Sequence, residues 1–230
     1  MILAIDTATR AISLAIHRGD RLQAEHTWRT ENVHTIELAP QVALLLNRSR
    51  VGPTQLSAIA VCLGPGSYTG VRIGLAYAKG LALALGCPLI GISTLEVSLF
   101  GAPAGAASVA VLVPAGRGRH ILARFAAGDP DGPAWRAVGE PVVLDLAGLR
   151  RELLSAPPAA VVGEWESLPE DLTLALAERT RLSPPSEAIR RAGALAELAW
   201  RRIRDPHEPG AAPVGELAPL YVGSITGGVA

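Results

Sequence analysis

Two stretches of this 230-residue chain carry residue types and spacings that could do chemistry: the carboxylate Asp6, which ends the apolar run Ile2 to Asp6, and the glycine-rich stretch LGPGSYTGVRIG, Leu63 to Gly74. Gly64 and Gly66 flank Pro65, so the main chain there can take positive φ or approach another surface closely. Ser67 and Thr69 are residue types that accept amide hydrogen bonds at helix N-termini. A turn of this kind has two uses. Its amides cradle a phosphate at the helix start, or its own hydroxyls close it. A Walker phosphate loop is excluded, because Val71 and Arg72 follow Gly70 where a lysine is required, and the chain's single lysine, Lys79, stands about two turns further along.

Asp6 is followed by the small polar turn Thr7 to Thr9 and then by a hairpin. That is where actin-like ATPases hold magnesium and phosphate, and it is also an ordinary strand end. Asp6, Gly64, Gly66 and Ser67 are therefore the candidates for a vestigial nucleotide site. Other chemistry is poorly supported. The five histidines, His17, His26, His34, His120 and His207, show no i, i+3 or i, i+4 spacing for a metal on one helix face. There is no G-x-S-x-G elbow, and Cys62 and Cys87 lie in apolar runs without C-x-x-C spacing.

Twenty-one basic and twenty-one acidic side chains balance to zero, so no field draws nucleic acid to the chain non-specifically. The N-terminus has no basic region before its apolar run, and the longest stretch with few charges, Gly80 to Leu95, is broken by Gly86 and Pro88. These features predict a cytoplasmic protein without a membrane span.

The elements that must position these residues follow from periodicity. Met1 to Asp6, Ala11 to His17 and Arg21 to Trp28 read as strands, turning at Gly19-Asp20. Helical spacing begins at Asn32, with Pro40 expected to kink the helix or delay its start. Ala58 to Cys62 is a buried strand feeding the glycine-rich turn. The helix after it has two rows of small residues, Gly70, Gly74, Ala78 and Ala76, Gly80, Ala84, which suggests that another backbone comes close; one row suits the helix's own sheet, and the other is either a partner surface or internal packing. Pro88 to Ile92 reads as a strand and Ser93 to Phe100 as a short helix. From Val109 the opening pattern returns, with Pro114 in the place of Asp6, which predicts a duplicated unit. Pro141 to Asp145 and Ala159 to Val162 read as strands, and Leu146 to Leu154, Leu168 to Glu178 and Ala188 to Arg204 as helices. In the last of these Arg190, Arg191, Arg201 and Arg202 form a solvated or partner-facing cluster. Asp205 to Leu217 reads as a linker, and Leu220 to Val222 as a strand returning to the first lobe.

MILAIDTAT, ENVH followed by ELAP, and above all GPGSYTGVRIG followed by AKGLALALG and GIST resemble the bacterial TsaB family, strongly over residues 1 to 100. The resemblance implies an α/β, actin-like ATPase (ASKHA) fold of two ribonuclease-H-like lobes, with mixed sheets flanked by helices. The lobes are expected at 1–103, joined by the tail 205–230, and 104–204. It also implies a non-catalytic partner of the paralogue TsaD in making threonylcarbamoyladenosine in tRNA. Aligned on that paralogue's H-x-x-x-H metal motif, this chain has Thr94 and Ser98, neither a good metal ligand. The PAGRGR turn, Pro114 to Arg119, departs from an acid and an arginine usual in the family's second lobe.

The implied interface lies on the helices Glu31 to Asn47 and Thr69 to Leu85, with Ile36, Leu38, Val42, Leu45, Val71, Gly74, Leu75, Ala78 and Leu83 as candidates. Through it the chain is expected to bind TsaD as a heterodimer, to form a homodimer alone, to receive a TsaE-like ATPase docking on the pair, and to meet tRNA only through the complex. No cofactor is required. Two other function classes stand against the scaffold reading: an ATPase or carbamoyl-transferring enzyme using Asp6 and the Gly64 to Gly70 turn, and a metal-dependent protease.

Overall fold

The computed structural model describes residues 1–30, 34–128, 134–205 and 213–223. Their contacts fall into two units, Met1–Val97 with Arg191–Leu220, and Ser98–Arg190 with 221–223. The first contains β1 (Ile2–Asp6), β2 (Ala11–His17), β3 (Leu22–Arg29), α1 (His34–Arg48), β4 (Ala58–Cys62), α2 (Tyr68–Leu85) and β5 (Leu89–Ile92), and α3 (Thr94–Leu99) follows. The sheet order is β3-β2-β1-β4-β5. β1, β2 and β3 form an antiparallel meander, and β4 and β5 run parallel to β1, each reached through a helix.

Every residue of β1, β2 and β4 is buried, which requires cover on both faces of the sheet. On one face Leu3, Ile5, Leu14 and Ile16 pack with Leu38, Val42 and Leu45 of α1 and with Leu75, Ala78 and Ala82 of α2. On the other face Ile2, Ala4 and Ala15 pack with Ala192, Leu195, Ala196 and Ala199 of α7 (Ala192–Arg204). The last helix thus belongs with the first unit, although chain order had placed it in the second lobe. It also starts later than its pattern suggested, because 185–188 forms a separate short turn of helix before an extended Ile189.

The second unit contains β6 (Ser108–Gly116), β7 (Arg119–Ala127), β8 (Trp135–Ala137), β9 (Val142–Leu144), α4 (Leu146–Ser155), β10 (Ala160–Gly163), α5 (Glu170–Ala177), β11 (Arg181–Leu182) and α6 (Pro185–Ala188). Its sheet order, β11-β10-β6-β7-β8, repeats that of the first unit strand for strand, with β9 as an extra partner of β7. The repeat expected from the returning strand-hairpin pattern is therefore a repeat of topology. Its register corrects one position. Counted from the pairs Ile2↔Ala58 and Val109↔Ala160, the counterpart of Asp6 is Val113, not Pro114. The hairpin also turns later than expected. Strand pairing continues to Gly116↔Arg119, and only Arg117 and Gly118 span the turn, both at positive φ.

Two further expectations change. α1 already begins at His34 and contains Pro40, so the proline does not delay its start; the missing N–H falls on an exposed flank where water can solvate the Ile36 carbonyl. Leu220 does return to the first unit, donating its N–H to the Leu63 carbonyl at 2.7 Å, but 220–222 forms no strand. Most of the linker read at Asp205 to Leu217 lies outside the described residues. Among the described residues no helix is long and apolar enough to cross a membrane.

Candidate functional site

The two candidate stretches meet. The end of β1 turns at Asp6, whose Oδ1 accepts the Ala8 N–H at 2.9 Å, and this fixes the turn that follows. The Ala8 carbonyl then accepts the Ser67 N–H at 2.6 Å, across from β1 to the start of α2. A side chain at Gly66 would collide with that same carbonyl, so the approach requires glycine. Thr7 Oγ1 donates to the Gly70 carbonyl at 2.8 Å and lies where a Cβ on Gly74 would stand. Ser67 caps α2, its Oγ accepting the Gly70 N–H at 3.2 Å. Gly64, at φ 90°, offers its carbonyl to the Thr94 N–H at 2.8 Å and faces the Leu220 carbonyl.

The glycine-rich turn is therefore engaged by its own chain. The Ser67 amide serves Ala8, the Gly70 amide serves the Ser67 hydroxyl, and Asp6 is fully buried as a turn-closing acceptor. The Ser67 hydroxyl thus closes the turn on the Gly70 amide, one of the two uses open to such a turn. Thr94 is buried, with its hydroxyl 3.1 Å from Cys62 Sγ, and Ser98 is buried as well. Among the described residues no cluster of three His, Cys, Asp or Glu side chains could hold a metal ion.

The surface candidates divide. Leu38, Val42, Leu45, Val71, Gly74, Leu75 and Ala78 are buried in the core of their own unit, so seven of the nine nominated interface positions are not surface at all. Ile36 and Leu83 are 71 % and 70 % exposed. The exposed rows run through Ile36, Ala39, Pro40 and Ala43 on α1 and through Ala76, Gly80, Leu83 and Ala84 on α2. Of the two small-residue rows, Gly74 meets Thr7, whereas a Cβ on Gly80 would meet nothing within 4 Å. One row packs inward and the other lies open.

The arginine cluster of the last helix is not a free patch either. Arg190, almost wholly buried, donates from Nη1 to Glu164 Oε1 at 2.6 Å within the second unit. Arg191 Nε binds Glu25 Oε2 at 2.7 Å within the first, Arg202 binds Glu96 and the Gly91 carbonyl, and Arg201 pairs with Glu197 one turn earlier. Nothing in the sequence pattern marked Glu164, which follows β10 where Cys62 ends β4. His120 is 7 % exposed; its Nε2 lies 3.1 Å from Ser167 Oγ, which donates to the Glu164 carbonyl, and its Nδ1 is buried without a hydrogen-bond partner. Burial pushes its pKa below the ordinary histidine value.

Residues 29–139 match the family model of TsaD, tRNA N6-adenosine threonylcarbamoyltransferase. The tRNA threonylcarbamoyladenosine biosynthesis protein TsaB of Escherichia coli is 36 % identical over 173 residues, which cover 74 % of this chain and 74 % of that protein. The chain belongs to the TsaB family. TsaB of Bacillus subtilis is 44 % identical over 95 residues, 41 % of this chain, and the matched part spans 42 % of the Bacillus protein. Among solved structures, a Pseudomonas aeruginosa protein described as similar to peptidase YeaZ superposes with a TM-score of 0.71 at 26 % identity, covering 96 % of this chain and 98 % of that one. The ethanolamine utilization protein EutJ of Carboxydothermus hydrogenoformans shares the fold at a TM-score of 0.53 and 11 % identity, over 84 % of this chain and 88 % of its own. In this TsaB-family chain the two sheets are those of the actin-like ATPase fold.

Proposed function

We propose that this chain is a non-catalytic scaffold in the making of threonylcarbamoyladenosine in tRNA, and that it binds and stabilises a TsaD paralogue, which performs the transfer. One observation carries this reading: the exposed apolar rows of α1 and α2, with Ile36 and Leu83 about seven-tenths exposed, lie in the part of the chain most like the transferase family. Open small residues such as Gly80 allow another helix to approach closely. The closed turn around Asp6 and Ser67 supports the absence of chemistry in this subunit and speaks against the ATPase alternative. The same surface pairs two copies of the chain when the paralogue is absent. A TsaE-like ATPase docks on the heterodimer, and tRNA meets the chain only within the complex.

The test is reconstituted threonylcarbamoylation of tRNA with the TsaD paralogue of the same organism. Wild-type chain supports modification, Leu83→Glu abolishes it at equal concentration, and Ser67→Ala leaves it within about twofold once folded protein is matched. Loss of activity in folded Ser67→Ala, with the heterodimer intact, would return the chemistry to the glycine-rich turn.

A further inference from the structure

Strand β3 ends the first sheet, and among the described residues no further strand pairs with its outer edge. The Thr30 N–H donates to the Arg10 carbonyl at 2.8 Å, and Ile12 stands opposite Trp28 and Leu14 opposite His26. Hydrogen-bonded pairs alternate along an antiparallel ladder, so Trp28 and His26 turn their main-chain groups toward β2. Thr27 and Glu25 turn theirs outward.

A cleft of about 410 Å³ lies between this strand and the flank of α1, within the range of built ligand sites. On the strand side it is lined by four consecutive residues, Gln23 to His26. Successive strand side chains point to opposite faces. The Glu25 carboxylate is committed to Arg191 and to the Gly193 N–H, which donates at 2.6 Å, so Glu25 reaches the cleft through its main chain. Gln23 is the extra residue where the register shifts between Ile16 and His17, and the bulge turns its side chain to the end of the helix. There Nε2 donates to the Ser49 carbonyl at 3.1 Å, while Oε1 is buried without a hydrogen-bond partner. The helix wall supplies Leu44, 40 % exposed, and Arg48. The one acid among the residues lining the cleft, Glu25, is already neutralised by Arg191, so the rim at Arg48 favours negative charge.

We propose that this cleft takes an extended, acidic segment of a partner protein, which adds a strand to the outer edge of β3. Main-chain groups of Glu25 and Thr27 supply the pairing, Ala24 and Leu44 seat one apolar side chain, and Arg48 meets the acidic side chain beside it. An edge strand alone would accept many sequences. The helix wall selects among them by size and charge. This flank of α1 borders the outward row of the proposed scaffold face, Leu44 lying one turn from Pro40, and is lined by other residues.

The probe is the blocked hexapeptide acetyl-Thr-Val-Leu-Val-Asp-Asp-amide, compared with the same peptide carrying lysines in place of both aspartates. Each is titrated into the full-length 15N-labelled chain, and amide shifts are followed. The acidic peptide is expected to perturb residues 22–29 and 41–50 and to bind at least about tenfold tighter than the lysine peptide. Arg48→Glu, with its dispersed spectrum retained, should reverse that order. Equal binding of the two peptides, no perturbation of these residues at millimolar peptide, or perturbation of them by raising protein concentration alone would overturn the proposal. The last outcome would mean that a second copy fills the cleft.

Discussion

Asp6 stands at a position suited to holding a metal or a phosphate and uses its carboxylate to close a turn. The consequence is energetic. Asp6→Ala leaves the buried Ala8 N–H without this acceptor and should cost about 1–3 kcal/mol in urea unfolding. A cost within a few tenths of a kcal/mol would mean the carboxylate has another task. His120 makes a prediction of opposite kind. Its folded pKa lies below the unfolded value of about 6.5, so the unfolded chain binds the extra proton first. Stability contributed at this site is complete above about pH 6.5 and declines as pH falls below it; His120→Phe should flatten that part of a denaturation-against-pH profile. The types and spacing of Asp6, Gly64, Gly66 and Ser67 were enough to recognise a strand end and, separately, a turn into a capped helix. Whether the amides were free was not legible, because the group that occupies the Ser67 amide is the Ala8 carbonyl, nearly sixty residues away. Arg190 and Arg191 show the same limit. Adjacent in sequence, they pair with Glu164 and Glu25, which no local pattern links to them.

At the scale of elements, α2 shows what periodicity conveys and what it leaves open. The 3.6-residue repeat located the helix and its two rows of small residues, but a repeat carries no absolute rotation, so Leu75 and Leu83 looked equivalent. The sheet decides: Leu75 is core and Leu83 is surface. Two glycine substitutions separate the rows. Gly74→Ala drives a methyl group into Thr7 and should destabilise by about 1–3 kcal/mol. Gly80→Ala meets nothing and should stabilise the isolated chain by up to about 1 kcal/mol, while weakening any helix pairing that needs the gap. Matching effects on stability would contradict the assignment of the rows. The placement of α7 was hidden for a different reason. Its apolar face was plain in the sequence, but the sheet it covers is set by β1 and β2, more than 170 residues earlier.

For the whole molecule, two units share one strand order, and in the first unit the strand-end turn is held by hydrogen bonds from its own chain. The repeat was visible in the sequence as a returning strand-hairpin pattern; its register was not, since Val113 and Pro114 are equally apolar and only the pairing of β6 with β10 selects between them. The proposed scaffold surface is the outward face of α1 and α2. The most direct test is size-exclusion chromatography with light scattering of the chain mixed with its TsaD paralogue, using wild type, Leu83→Glu and Ile36→Glu. Wild type should form a one-to-one heterodimer, and each variant should give free subunits or at least about a tenfold loss of affinity with folding intact. A variant pair that assembles as tightly as wild type, or a wild-type chain that forms no complex with or without nucleotide, would contradict the scaffold reading.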